Sequence, residues 1–335
     1  MSIRFAINGI GRIGRALIRI AAARPEIELV AVNDLAGPDQ LVPVLARDSL
    51  FGAFPGKVSF GAGRLVLGET EVAAFQEPDP EKIPWLDLSP AIVVDATGRA
   101  KTRETAGLHR RGSVKKVVVS ANAEDLDLTL CLGINNDSYD PECHHLLSAA
   151  SCTTNCLAPM ISVLDRDFGL EHCVFNTVHS YNNDQRLLSF AHPDPRRARA
   201  ATLNMIPTTT SASQAIHRVL PGFEGKLDGF AIRVPTPNVS LIDLVATLTG
   251  SPRVAEVNNA FRRAATQHLQ GILSVTEEEL VSSDFLGSSE AAIIDLPLTR
   301  VVDERLYRVV GWYDNEWGHA CRLADLIEFL GGTFS

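Results

Sequence analysis

The chain has 335 residues, of which 45% are hydrophobic and 21% charged, enough to build two ordinary cores rather than one. A net charge of −9 argues against a general binder of nucleic acid or anionic membranes, because such surfaces collect Lys and Arg. There is no run of 18 apolar residues, and "MSIRFAINGIGRIG" has no signal-peptide core. A cytoplasmic chain is therefore expected, with neither nucleic acid nor membrane as partner.

In chain order, "IRFAIN" (3–8) is a short apolar run closed by glycine, which reads as a strand. Residues 12–24 place Ile13, Leu17 and Ile20 at helical spacing, and "IELVAVND" (27–34) is a β-branched strand suited to burial on both faces. The pattern returns with strand 91–98, helix 101–112 and strand 115–121. Such alternation predicts a doubly wound parallel sheet. One helix follows over about 153–168, with Pro159 a possible kink. Residues 182–204 are polar, Arg-rich and weakly periodic, a long loop of the kind that is usually functional. Around it lie the longer strands "HCVFNTVHSY", "DGFAIRVP", "SLIDLVATLTG" and "YRVVGWYD". With few helices between them, they predict an α+β domain with a mostly antiparallel sheet. The last segment sets Cys321, Leu323, Leu326, Ile327 and Leu330 on one helical face.

Gly9, Gly11 and Gly14 form a G-x-G-x-x-G that follows a strand and opens a helix, with Asp34 twenty residues beyond Gly14. That context is the Rossmann fingerprint, although glycines at turns of an unrelated α/β protein would give the same letters. The glycines let backbone N–H groups approach a pyrophosphate at the positive end of the helix. Asp34 would accept from the adenosine ribose and repel a 2′-phosphate, so the expected cofactor is NAD.

Six cysteines (131, 143, 152, 156, 173, 321) make no disulfide framework. His144 and His145 lie nearby, but the paired knuckles of a zinc site are lacking, so no metal is expected. Cys152 stands where a strand hands over to a helix. Helix N–H groups there favour a thiolate, the nucleophilic form. His179, at the end of the next strand, is a candidate base for it. Sequence spacing leaves a merely structural histidine equally open. Cys156, one turn on, reads as core.

The segment "SAASCTTNCLAP" resembles the active-site signature of phosphorylating glyceraldehyde-3-phosphate dehydrogenases. "INGIGRIGR", "VVDATG", "RRARAA", "RVPTPNVSLIDL", "LVSSDF" and "WYDNEWG" resemble the same family in its order, across nearly the whole chain. The resemblance implies a nucleophile at Cys152 and its base at His179. It implies cofactor contacts at Arg12, Ile13, Asp34, Thr97 and Ser120, with Asn315 holding the nicotinamide carboxamide. Arg233 would grip the substrate phosphate, and Ser151, Thr153, Arg197 and Thr210 the attacking inorganic phosphate. The implied reaction takes an aldehyde through a thiohemiacetal and a thioester on Cys152 to an acyl phosphate. Expected domains are 1–151 for NAD, 152–315 for catalysis, and a helix over 316–335 returning to the first. A homotetramer is also implied.

Several positions depart from the family pattern. Asn182 replaces a threonine and Ser211 a glycine, both at phosphate-binding positions. Gln214 replaces a lysine, and His319 an aromatic residue. Phe190 and Ala191 stand where NAD-specific members often carry Leu-Pro, so some NADP tolerance is expected. Two other readings stay in play: a sister dehydrogenase acting on erythrose 4-phosphate or another phosphorylated aldehyde, and a non-catalytic dinucleotide-binding regulator.

Overall fold

The computed structural model describes residues 2–334, which fall into two compact units. The first comprises residues 2–132, 136–150 and 320–334; the second comprises Gly133–Asn135 and Ser151–His319.

The first unit is built on a nine-stranded sheet. Strand Ile3–Asn8 lies at its centre, with parallel neighbours Ile27–Asn33 on one side and Ile92–Asp95 on the other. Chain order therefore reverses beside Ile3–Asn8, which is where open α/β sheets place their ligands. Phe5, Ala6 and Ile7, Ala31 and Val32, Ile92 to Val94 and Val117 to Val119 are all buried, as continuous apolar strands covered on both faces must be.

Several elements differ from the pattern predicted above. The helix expected over 101–112 is only Arg103–Gly107, opened by a Thr102 cap, and the chain then turns to bury His109. The first helix is Arg12–Ala21 and stops short of Pro25, whose ring disfavours helix in the residue before it. The sheet is not wholly parallel: Val58–Gly61, Arg64–Leu67 and Thr70–Phe75 pair antiparallel at one edge. Glycines in the two tight turns, Gly63 at φ +75° and Gly68 at φ +66°, allow that meander.

The second unit holds an eight-stranded mixed sheet. Its long strands Leu170–Ser180, Ser240–Leu248 and Leu306–Tyr313 run antiparallel to their neighbours in that order. Leu227–Val234 pairs parallel to Leu170–Ser180, and Leu273–Thr276 pairs parallel to Ala292–Asp295. Helix Cys152–Phe168 runs through Pro159 and buries most of its length. Residues 182–204 are irregular apart from turns. No helix of the described residues is long and apolar enough to cross a membrane.

Candidate active site

In the first unit the glycine turn has a clear steric logic. Gly9 has φ +97°, and a Cβ on it would stand 2.8 Å from the Thr97 nitrogen. A Cβ on Gly14 would collide with the Gly9 carbonyl. Gly11 differs: its φ is −70°, and nothing lies within 4 Å of where its Cβ would be. Two glycines are thus demanded by the fold, while the third keeps open the space at the start of helix Arg12–Ala21. Residues 11–14 have no side-chain cap there, which suits an anion at the helix N-terminus. Asp34 accepts from the N–H of Ile10 at 2.6 Å and from that of Ala36 at 2.8 Å, so its carboxylate is already fixed in orientation. Thr97 donates its hydroxyl to Asp95 at 2.7 Å, and Ser120 closes strand Lys116–Val119 by donating its N–H to the Asp95 carbonyl.

The thiol site lies in the second unit. Cys152 is the first residue of its helix, capped by Ser151, whose hydroxyl accepts the Thr154 N–H. His179 sits near the end of strand Leu170–Ser180, with Nε2 3.6 Å from the Cys152 sulfur. Its Nδ1 is 2.7 Å from the Ser180 carbonyl oxygen. A carbonyl can only accept, so Nδ1 carries the hydrogen and Nε2 faces the thiol as a proton acceptor.

Burial pushes the Cys152 thiol above its ordinary value; Arg233, the Thr153 hydroxyl and nearby N–H groups draw it back only in part. The Thr153 hydroxyl and the N–H groups at the helix start thus act toward the thiolate, against the desolvation. Cys156 is wholly buried, with its thiol pushed well up by burial.

Around this pair the sheet register assembles the remaining groups. Arg233 lies opposite His179 and donates through Nη1 to the Ser180 carbonyl at 3.2 Å. One carbonyl therefore orients both the imidazole and the guanidinium. Asn315 accepts at Oδ1 from the hydroxyls of Ser180 and Ser240, each at 2.9 Å, which leaves its Nδ2 as the donor end. Thr153 is turned inward, its hydroxyl 3.0 Å from that of Tyr313. Tyr313 also meets Thr177 at 2.8 Å and presents its ring edge-on to His179. Val239, between Asn238 and Ser240, has φ +66°, a strained value for a β-branched residue.

A second group forms on the loop. Arg197 donates to the Thr208 hydroxyl at 2.7 Å and to Thr209 at 3.3 Å, and it pairs with Asp184 at 2.6 Å. Thr210 follows directly; its hydroxyl accepts the Ala212 N–H. Asn182 uses its side-chain oxygen on the Asp184 N–H at 3.0 Å, and Ser211 opens helix Ala212–Val219 without capping it. The structure thus joins Cys152, His179 and Arg233 through contacts, and Arg197 with the 208–210 segment. Sequence reasoning missed Tyr313, Thr177, Ser180 and Ser240. Strand alternation could have pointed Tyr313 inward, but nothing local couples it to Thr153, 160 residues away.

Among the described residues, no group of three or more His, Cys, Asp or Glu could hold a metal ion. Residues 3–103 match the NAD binding domain of glyceraldehyde 3-phosphate dehydrogenase, and residues 151–315 match its C-terminal domain. A glyceraldehyde-3-phosphate dehydrogenase of Geobacillus stearothermophilus is 48% identical over 330 residues, covering 98% of each chain. Glyceraldehyde-3-phosphate dehydrogenase 1 of Bacillus cereus is 45% identical, again over 98% of each. Glyceraldehyde-3-phosphate dehydrogenase 2 of Streptomyces avermitilis is also 45% identical, over 99% of each. A Rossmann-type unit with the glycine cradle, a mixed-sheet unit with a paired cysteine and histidine, and relatives matching from end to end lead to one conclusion: the chain belongs to the glyceraldehyde-3-phosphate dehydrogenase family.

Proposed function

We propose that the chain catalyses the NAD-dependent oxidative phosphorylation of D-glyceraldehyde 3-phosphate to 1,3-bisphosphoglycerate through a thioester on Cys152. The observation that carries this reading is the Cys152–His179 approach of 3.6 Å, with the histidine's other nitrogen held by a carbonyl. Residues 1–151 serve the cofactor, 152–315 carry the chemistry, and 316–335 return to the first domain.

Gly9, Gly11, Arg12, Ile13, Gly14, Asp34, Thr97 and Ser120 hold NAD, with the Asn315 amide donating to the carboxamide. NAD, when bound, supplies the acceptor for the aldehyde hydrogen. His179 takes the thiol proton at Nε2 as the sulfur bonds the aldehyde carbon, and returns it to the carbonyl oxygen. His179 then withdraws that hydroxyl proton as the carbon is oxidised, leaving a thioester. An oxygen of inorganic phosphate attacks the thioester carbon, and the sulfur leaves as thiolate. Arg233 makes one bond to protein through Nη1, and its remaining donors suit the substrate phosphate. Ser151, Thr153, Arg197 and Thr210, with Asn182 and Ser211 beside them, serve the attacking phosphate.

Asn182 favours keeping a second substrate in view. Its oxygen is spent on Asp184, so a ligand there meets an amide donor rather than the family's hydroxyl. Erythrose 4-phosphate is therefore the competing aldehyde. NADH formation from each aldehyde, with and without inorganic phosphate, decides between them. Fast, phosphate-dependent turnover of the three-carbon aldehyde is expected. Preference for the four-carbon aldehyde would reassign the substrate, and no turnover with either would favour a dinucleotide-binding regulator.

The assembly we infer is a homotetramer. Leu187, Leu188, Phe190, Leu203 and Met205 are exposed on the second unit, large apolar side chains that a second copy of the chain would cover. Phe190 with Ala191 leaves room for some NADP use. All six cysteines are free, in keeping with a reducing cytoplasm.

A further inference from the structure

Beneath the glycine cradle lies a buried polar chain that no step above uses. It begins at Trp85, wholly buried, whose indole N–H donates to Nδ1 of His109 at 3.2 Å. An indole can only donate, so Nδ1 bears no hydrogen and the neutral ring carries it on Nε2. Nε2 in turn faces Oδ2 of Asp95 at 3.3 Å and donates to it. The Asn8 amide nitrogen lies 3.4 Å from the same ring nitrogen, but both bear hydrogen, so each instead serves Asp95. Asn8 donates to Asp95 at 2.8 Å and accepts from Asn33 at 2.8 Å; Asn33 also bonds both backbone groups of Glu77. The other Asp95 oxygen accepts from the N–H and the hydroxyl of Thr97.

Asn8, Asn33 and Asp95 are the last residues of three adjacent parallel strands. Each is followed within two residues by a cofactor position: Gly9, Asp34 and Thr97. All four polar members of the chain, His109 included, are at least nine-tenths buried. Such residues are expensive to keep unless every group is satisfied, and here each has a partner. An apolar layer would hold the strands together as well. What it would not do is fix the direction of three separate loops relative to one another.

We propose that His109 is a positioning residue for the dinucleotide site, acting through Asp95 and Asn8 on the Gly9 turn and on Thr97. It touches no ligand itself. The inference rests on the reading of Gly9, Asp34 and Thr97 as cofactor contacts, and it concerns the cofactor alone, not the thiol chemistry.

The test compares His109→Asn, His109→Gln and wild type. Asn can still accept near the Nδ1 position but cannot reach Asp95; Gln can place a donor near the Nε2 position. The KM for NAD should rise roughly five- to tenfold in His109→Asn, since an Asp95 lone pair is stranded, while the KM for the aldehyde stays unchanged. His109→Gln should return the NAD value to within about twofold of wild type while remaining less stable, because Trp85 loses its acceptor. A merely structural histidine would lower the melting temperature of both variants and leave the NAD constant alone, which would overturn the proposal. A measurement on wild type does not depend on the variants folding: the imidazole 15N resonances of His109 should show the neutral Nε2–H form and shift when NAD saturates the protein. Resonances that stay put at saturation would also overturn it. If wild type itself failed to bind NAD, the cofactor reading would fall instead, a result separable from either of these.

Discussion

Activation of the nucleophile turns on two residues. The Cys152 thiol is pushed up by burial, and neither Arg233 nor the surrounding N–H groups fully reverses that. A raised value means less thiolate at neutral pH, so Cys152 gains from a base beside it. On the proposed mechanism His179, with Nε2 3.6 Å from the sulfur, removes that handicap by accepting the proton. In His179→Asn, turnover should fall by about 10²–10⁴, the usual worth of a positioned base. Alkylation by iodoacetamide, followed against pH, should be slower than wild type at pH 7 and should recover at alkaline pH. Equal alkylation rates at neutral pH would mean that the helix end alone supplies the thiolate.

The elements separate the glycines that the fold demands from the one it does not. Gly14 is pressed against the Gly9 carbonyl, so Gly14→Ala should disrupt the strand–helix turn and lower stability. Gly11 has ordinary φ and open space, so Gly11→Ala should fold with at most about 1 kcal/mol lost at the helix cap, yet bind NAD at least tenfold more weakly. Thermal unfolding and NAD titration of the two variants separate these effects; unchanged NAD affinity in Gly11→Ala would remove the pyrophosphate from this turn. The contrast also marks how far sequence could be read. Gly9, Gly14 and Asp34 were legible because their constraint is local: a tight turn between a strand and its helix. Cys152 and His179 were legible only as candidates, since 27 residues and a sheet register decide whether they meet. Tyr313, whose hydroxyl joins Thr153 to Thr177, was not legible, because three distant segments must first be packed together. The edge meander at 58–75 was missed for a different reason: its strands are only four to six residues long, too short for a periodic pattern to stand out. The His109 chain escaped notice because a buried histidine has no periodic signature.

For the whole molecule, the loop 182–204 raises the question of what covers it. Leu188 and Leu203 are 79% and 80% exposed, and Met205 is 75% exposed. Arg186 lies over the Phe190 ring, and Asp184, Asp194 and Arg197 knit the loop internally. The segment is therefore held in shape while its apolar side chains face outward. Holding it costs conformational entropy, which burial against another copy of the chain would offset. Wild type should show a mass near four times 36.3 kDa by light scattering. Leu188→Asp combined with Leu203→Asp should shift it to smaller species, because an interface core tolerates no unpaired carboxylates. A wild-type monomer in solution, or a double variant of undiminished mass, would sink the tetramer and leave the exposed loop to some other partner.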